Sequence, residues 1–225
     1  MALEILHPQW RRPIRGVLFD MDGLILDTER LYTRFWQEAA RALGYPMNRE
    51  QALGMRSLNR DTARKQMESY FGPGTDYEAI RALRIRLMDA FIAENGVEAK
   101  PGIYALLDAL DAHGIPAAVT TSASLERATE NFSRLNLLHR FARICQGSDV
   151  PTCKPEPEIY LYGAASLGLP PENCLALEDS PAGILSAYRA GCMPIMVPDQ
   201  DQPGEETRSC LFAKADSLAD VISLL

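Results

Sequence analysis

Gly16-Val17-Leu18-Phe19, followed directly by Asp20-Met21-Asp22-Gly23, is the stretch of sequence that decides the fold. A short apolar run that ends abruptly in acidic residues is typical of a buried parallel strand whose C-terminal end opens onto a polar loop. Three longer runs and one shorter run follow the same pattern, at 115–119, 174–177, 193–197 and 142–145. The sequence therefore predicts several buried strands with polar residues at their carboxyl ends.

Helical stretches with legible boundaries lie between these strands. Proline favours the first turn of a helix and glycine its C-terminal end. Three stretches open with proline and end with glycine, over 101–114, 155–168 and 181–191. This alternation predicts an α/β fold with a Rossmann-like doubly wound parallel sheet, in which ligands bind outside the carboxyl ends of the strands.

The segment 27–96 interrupts the alternation, because it contains consecutive helical patterns and no convincing strand. One helix is predicted from Tyr77 to about Glu94, opened by a capping box at Thr75-Asp76-Tyr77-Glu78. We therefore predict an α-helical cap at 27–96, inserted into a Rossmann-like catalytic core formed by residues 1–26 and 97–225.

Composition and charge argue against several classes of function. The 225 residues are 47% hydrophobic but their apolar runs are too short to cross a bilayer, so we expect a soluble protein with no membrane partner. A monomer is the default expectation. The net charge is −7 and the 23 basic residues are scattered, which argues against a nucleic-acid partner. No secretory signal is visible, and the five cysteines are an odd number, so we expect reduced thiols and a cytoplasmic location.

Four carboxylates are candidate metal ligands because they follow two of the predicted strands. Asp20 and Asp22 lie just past the first strand, and Glu178-Asp179 ends another. Two like charges ~4 Å apart repel by about 4 kcal/mol at an effective dielectric constant near ~20, so such a cluster needs a cation. Oxygen ligands favour a hard ion, and Mg²⁺ fits best. Taken alone, Asp20 and Asp22 would more often form a solvated acidic turn, and the carboxylates at Glu178-Asp179 reverse that preference.

Lys154, Thr121 and Ser122 are candidate phosphate-binding residues. Lys154 precedes a predicted helix and is one of only four lysines, and its ammonium could offset the charge that accumulates when an aspartate attacks a phosphate dianion. Thr121 and Ser122 follow a predicted strand and offer a hydroxyl and backbone N–H groups to phosphate oxygens. The alternatives are a surface charge for Lys154 and an ordinary strand-to-helix turn for Thr121 and Ser122.

Together these motifs resemble, in order and spacing, the four motifs of the haloacid dehalogenase-like hydrolases. The resemblance covers nearly the whole chain from about Arg15, and the matching residues are Asp20-Met21-Asp22-Gly23 with Asp27-Thr28, Thr121, Lys154-Pro155 and Glu178-Asp179-Ser180-Pro181. It implies that Asp20 is a nucleophile that forms an aspartyl-phosphate and that Asp22 is the general acid/base.

The resemblance also implies the other roles at the site. Mg²⁺ would be held by Asp20, by the backbone carbonyl of Asp22 and by Asp179, with Glu178 as a further ligand or a partner of the ligands. Thr121 and Lys154 would hold the transferred phosphoryl group. The dehalogenases of this family lack a carboxylate at the position of Asp22, so its presence points to phosphoryl transfer.

Among capped members, the stretch Asp22-Gly23-Leu24-Ile25-Leu26-Asp27-Thr28-Glu29-Arg30-Leu31-Tyr32 and the later Met196-Val197-Pro198-Asp199 are similar to the branch that contains the sugar-phosphate and pseudouridine-5′-phosphate phosphatases. The predicted function is therefore a Mg²⁺-dependent phosphatase that hydrolyses a small phosphorylated metabolite, either a sugar phosphate or a nucleotide-like monophosphate. The helical insertion resembles a cap that closes over such substrates and excludes water.

Two alternatives remain open. β-Phosphoglucomutase shares the cap and the motifs, but Tyr32 and Leu53 stand where that enzyme uses a cap histidine and a cap lysine. Gly54, Arg56, Asn59 and Arg60 could still form a polar cap loop that faces the substrate, or else a solvated loop between helices. The second alternative is a binding module without turnover, and the presence of every chemical residue argues against it.

Overall fold

The computed structural model describes residues 3–56, 58, 60–199 and 202–225. The chain divides into two compact units. The first unit contains the chain up to Asp27 together with Glu98–Leu225. The second unit is Thr28–Val97. Each border lies one residue beyond the predicted one.

A single sheet forms the centre of the first unit. Its strands are β1 (Leu3–Ile5), β2 (Gly16–Phe19), β3 (Ala117–Thr121), β4 (Arg143–Gln146), β5 (Cys174–Glu178), β6 (Met193–Met196) and β7 (Ala213–Ala215). Their order is β1-β7-β6-β5-β2-β3-β4, all neighbours pair in parallel except β1 with β7, and β2 lies between β5 and β3. The predicted Rossmann-like α/β fold is confirmed.

The sheet differs from the prediction most in two details, whereas the bounds of β4, β5 and β6 are within one residue of it. β1 and β7 were not predicted, because strands of three residues are too short to carry a periodic pattern. β3 begins and ends two residues later than the predicted 115–119, so Thr121 is the last residue of the strand rather than the start of a loop.

Helices make up the second unit: α1 (Glu29–Ala42), α2 (Arg49–Leu53), α3 (Arg60–Phe71) and α4 (Tyr77–Asn95). Their apolar faces meet in a core that includes Trp36, Ala52, Met67 and Ile80. The predicted capping box is wrong in its first residue. Asp76, not Thr75, caps α4 by accepting a hydrogen bond from the backbone N–H of Ala79 at 3.0 Å, and Thr75 donates to the carbonyl of Gly72.

The remaining helices pack on the sheet: α5 (Ile103–Ala112), α6 (Leu125–Arg134), α7 (Glu158–Ser166), α8 (Pro181–Arg189) and α9 (Glu205–Ser209). α7 begins three residues after the predicted Pro155, because the chain first makes a turn in which the N–H of Glu156 donates to the carbonyl of Cys153 at 2.9 Å. None of the helices in the described ranges is both long and apolar enough to cross a membrane.

The core between the sheet and two of these helices holds the site in place. Leu18 and Ala176 from the strands pack with Tyr160 and Ala164 of α7 and with Ala187 of α8, and all five are fully buried. Burial of a large apolar side chain contributes about 1.5–3 kcal/mol. This packing fixes α7 and α8 against the strands whose carboxyl ends carry the polar residues.

Candidate active site

The acidic residues meet at the carboxyl edge of the sheet, where β5, β2 and β3 lie side by side. Asp20 directly follows β2, and Glu178 and Asp179 stand at the end of β5. The pairing of β2 with β5 continues past the strand, since the N–H of Asp20 donates to the carbonyl of Leu177 at 3.0 Å. Carboxylate oxygens of Asp20, Glu178 and Asp179 lie within 4.8 Å of one another, which makes this group a candidate site for a divalent metal ion.

Lys154 is buried against these carboxylates. Its side chain is only 10% exposed, and Nζ lies 2.6 Å from Asp20 Oδ1, 2.7 Å from Glu178 Oε1 and 3.0 Å from the carbonyl oxygen of Thr120. An ammonium has three N–H donors, and each has an acceptor here. The interpretation of Lys154 as a surface charge is therefore wrong.

Both carboxylate oxygens of Glu178, which is fully buried, are satisfied within the protein. Oε1 accepts from Lys154 and from the hydroxyl of Tyr160 at 2.6 Å. Oε2 accepts from the backbone N–H of Ser180 at 3.3 Å and from its hydroxyl at 3.0 Å. With four donors around it, this carboxylate holds its neighbours in position and is less suited to bind a metal ion directly than Asp20 or Asp179.

Glycine at position 183 allows the carboxylate of Glu178 to lie against the first turn of α8. A Cβ atom at Gly183 would overlap the carboxylate carbon and both carboxylate oxygens of Glu178. Sequence reasoning did not select Gly183, since nothing in the local pattern shows which side chain a helical glycine faces.

We expect Gly183→Ala to destabilise the protein by about 1–3 kcal/mol and to lower activity, because the added methyl group displaces a buried carboxylate that holds Lys154. Chemical denaturation measures the first effect and turnover the second. Gly204→Ala is the matched control, since a Cβ atom there meets nothing within 4 Å. Equal stability of the two variants would contradict the geometry at position 183.

Burial and neighbouring charges shift the pKa values at this site. Burial raises the pKa of Asp20 from 3.8 to about 7, and the ammonium of Lys154 opposes this rise. Burial disfavours the charged ammonium, but Asp20 and Glu178 together hold the pKa of Lys154 above its ordinary value. Without a metal ion, Asp20 is therefore partly protonated near neutral pH, and Lys154 remains charged.

Asp22 forms an ion pair that could not be predicted from the sequence. Its Oδ1 accepts a hydrogen bond from Arg127 Nη2 at 2.8 Å, and both side chains are partly exposed. Arg127 lies in the first turn of α6, and its backbone N–H donates at 3.3 Å to the hydroxyl of Ser124, which caps that helix. A separation of 105 residues leaves no local signal for this pair.

Thr121 and Ser122 lie at the same edge of the sheet. Thr121 is buried, and its Oγ1 accepts a hydrogen bond from the N–H of Ala123 at 3.0 Å, whereas Ser122 is exposed. The hydroxyl of Thr121 is therefore already part of the turn between β3 and α6, and the phosphate-binding roles of both residues remain predictions.

The residues predicted for the cap loop belong to the second unit. Gly54 caps the C-terminal end of α2, and Asn59 lies outside the described residues. Arg56 is 10% exposed and its Nε lies 3.1 Å from Glu29 Oε2. Arg56 is thus engaged by a carboxylate within its own unit. A contact of Gly54, Arg56 or Asn59 with a substrate remains a prediction.

Comparison with known proteins agrees with this geometry. The family model described as haloacid dehalogenase-like hydrolase matches residues 17–197. The chain is 35% identical to the Probable pseudouridine-5'-phosphatase of Drosophila melanogaster, over 93% of this chain and 92% of that protein. It is 34% identical to Hexitol phosphatase A of Escherichia coli (81% and 82%). The crystal structure of CbbY from Rhodobacter sphaeroides in complex with phosphate superposes with a TM-score of 0.72 at 28% identity, covering 92% and 96% of the two chains.

The sheet gathers an aspartate, a lysine and two further carboxylates at its carboxyl edge, and two of the relatives above are phosphatases by name. The chain belongs to the haloacid dehalogenase-like hydrolase family. The predicted resemblance is confirmed, as is the prediction of an enzyme of the phosphoric monoester hydrolase class.

Proposed function

We propose that the protein is a Mg²⁺-dependent phosphatase that hydrolyses a small phosphorylated metabolite through an aspartyl-phosphate on Asp20. The observation that carries the proposal is the buried contact of Lys154 Nζ with Asp20 Oδ1 at 2.6 Å, beside the two further carboxylates of Glu178 and Asp179. A nucleophilic carboxylate with a fixed cation beside it is suited to attack a phosphate dianion, because the cation offsets the repulsion between the two anions.

The residues present fit a Mg²⁺ ion. Oxygen ligands from Asp20, Asp179 and the backbone carbonyl of Asp22 would hold the ion. Glu178 would not bind the ion itself but would keep Lys154 in position. When bound, the ion supplies positive charge that stabilises the phosphoryl oxygens during transfer.

The reaction has two steps. A carboxylate oxygen of Asp20 attacks phosphorus, the ester P–O bond breaks, and Asp22 donates its proton to the leaving oxygen. Asp22 then takes a proton from water, whose oxygen attacks the phosphorus of the aspartyl-phosphate; the bond between phosphorus and the Asp20 oxygen breaks, which releases inorganic phosphate and restores the Asp20 carboxylate. Lys154 and Thr121 hold the phosphoryl oxygens in both steps. Arg127 Nη2 contacts Oδ1 of Asp22 at 2.8 Å, so the proton would be carried by Oδ2 or the pair would have to open.

A sugar phosphate or a nucleotide-like monophosphate is the proposed substrate, supported by the similarity to proteins named for pseudouridine 5′-phosphate and hexitol phosphate. A phosphosugar mutase is the alternative. Two residues argue against a mutase: Tyr32, whose ring is covered by the guanidinium of Arg84 at 4.9 Å, and Leu53. Neither can act as the histidine or lysine of a mutase.

Five free thiols support the proposed cytoplasmic location, and the proposal of a monomer rests on the sequence alone.

The proposal is tested by release of inorganic phosphate from a panel of sugar phosphates, nucleotides and pseudouridine 5′-phosphate, with Mg²⁺ or with EDTA. We expect release with Mg²⁺ and at least about a hundredfold less with EDTA. Chromatography of the organic product separates the two activities, since a mutase returns an isomeric phosphate and a phosphatase returns the dephosphorylated compound. No release and no isomer from any compound would oppose the proposal and favour the binding module.

We expect Mg²⁺ to bind more tightly as pH rises from about 6 to about 8, because binding requires the ionised form of Asp20, whose pKa is raised to about 7. Between pH ~4 and ~7 the folded, metal-free chain keeps a proton that the unfolded chain loses. The free energy of unfolding of the metal-free protein therefore falls as pH rises through this window. Isothermal titration calorimetry in buffers of different ionisation enthalpy measures the proton released, and a pH-independent affinity would contradict the prediction.

A further inference from the structure

Tyr160, in α7, has no part in the reaction steps above, yet its hydroxyl lies within the site. We propose that Tyr160 is a positioning residue that holds Glu178 and, through it, keeps Lys154 available to the nucleophile and to the transferred phosphoryl group. This inference rests on the proposed function.

The contacts of the hydroxyl are well defined. Tyr160 is fully buried, and its Oη donates to Glu178 Oε1 at 2.6 Å. The same oxygen accepts from Lys154 Nζ at 2.7 Å, and Nζ lies 5.1 Å from the centre of the Tyr160 ring. Burial raises the pKa of the Tyr160 phenol well above its ordinary value, so the hydroxyl keeps its proton and remains a donor.

Lys154 must give up one of its three acceptors in order to bind a phosphoryl oxygen. The carbonyl of Thr120 is fixed within β3, and Glu178 is fixed by the donors of Tyr160 and Ser180. Asp20 is the acceptor that changes during the reaction, since it loses its negative charge as it bonds to phosphorus. The geometry thus favours a transfer of one ammonium donor from Asp20 to the phosphoryl group.

Without the phenol, this balance changes. Glu178 Oε1 would have Lys154 as its only strong donor, and a buried carboxylate with fewer donors attracts the remaining cation more strongly. Lys154 would then be drawn toward Glu178 and away from the phosphoryl oxygens. The loss should appear both in binding of phosphate and in turnover.

Tyr160→Phe removes only the hydroxyl, and Tyr162→Phe is the matched control, because Tyr162 lies on the same helix with 44% of its surface exposed. For both we would measure kcat and KM on the best substrate of the panel, the inhibition constant of inorganic phosphate, and the melting temperature. We expect Tyr160→Phe to lower kcat/KM by about 10- to 100-fold and to weaken inhibition by phosphate by about tenfold, and Tyr162→Phe to change neither by more than about twofold.

A purely structural role for the hydroxyl predicts a different result. It would lower the melting temperature and leave kcat, KM and the inhibition constant within about twofold of wild type at temperatures where the variant is folded, which would overturn the proposal. If Tyr160→Phe does not fold, Tyr160→Met fills the space with a flexible apolar chain and is subject to the same criteria.

A second comparison tests whether Tyr160 acts through Lys154. In a Lys154→Gln background, Tyr160→Phe should not weaken inhibition by phosphate further, because the side chain through which it acts is gone. A full additional tenfold loss there would overturn the proposal. Absence of any turnover in the wild-type protein would instead refute the proposed function, whereas an active wild type with a fully active Tyr160→Phe variant refutes only this inference.

Discussion

Replacing Asp20 with asparagine is expected to abolish turnover, with kcat reduced by at least about 10⁴-fold. An amide oxygen is a poor nucleophile, so the aspartyl-phosphate cannot form. Loss of the negative charge also removes a ligand for the metal ion and the shortest contact of Lys154, at 2.6 Å. The measurement is phosphate release at saturating substrate, together with mass spectrometry of acid-quenched enzyme to detect a phosphoryl group on the peptide that contains Asp20.

The wild-type protein should carry that phosphoryl group and the Asp20→Asn variant should not. Asp89→Asn, an exposed aspartate in α4, is the matched control and should retain full activity. The Asp20→Asn variant should be folded and, without metal, at least as stable as wild type, because burial disfavours the negative charge that this substitution removes. Substantial phosphate release by Asp20→Asn would contradict the role of this residue as nucleophile.

Replacing Lys154 with methionine is expected to lower kcat/KM by about 10³-fold and to destabilise the metal-free protein by about 3–5 kcal/mol. The activity falls because no cation remains to offset the charge on the phosphoryl oxygens. The stability falls because Asp20 and Glu178 stay buried without the ammonium that contacts both. Phosphate release and urea denaturation measure the two effects.

The loss of stability in Lys154→Met should grow as pH rises, because the cost falls on the ionised form of Asp20, whose pKa is already raised to about 7 by burial. Added Mg²⁺ should restore part of the stability, since a divalent ion can compensate the same carboxylates. Lys65→Met removes an exposed lysine from α3 and is the control. A Lys154→Met variant as stable as wild type at about pH 8 without metal would show that the ammonium does not balance the buried charges.

The main elements of the fold could be predicted because their signals are local. The run Gly16–Phe19 is apolar from end to end and stops at Asp20, and such a run has few alternatives to a buried strand. The helix that opens at Pro181 was placed correctly because proline restricts the backbone at the first turn. Pro155 misled the same reasoning, since α7 begins only at Glu158, after a turn that no simple start signal encodes.

The sequence could single out Asp20 and Lys154 because each of them follows or precedes a recognisable element and because the motifs appear in a characteristic order, and the structure brings the two together. Tyr160, Arg127 and Gly183 could not. Tyr160 occupies an apolar helix, where an aromatic residue suggests packing alone. Arg127 pairs with Asp22, which is remote in the sequence, and Gly183 lies against the Glu178 carboxylate, a contact that no sequence pattern shows. Their contacts exist only once strands and helices are packed.

By itself, the sequence determined the class of fold, the family and the identity of the chemical groups, because apolar periodicity and motif order are properties of neighbouring residues along the chain. Only the tertiary structure decided how those groups are arranged. It buried Lys154 between Asp20 and Glu178, surrounded Glu178 with four donors and paired Asp22 with Arg127. The physical reason is that desolvation and charge pairing depend on which distant segments pack together. That packing sets the pKa of Asp20 and the position of the Lys154 ammonium.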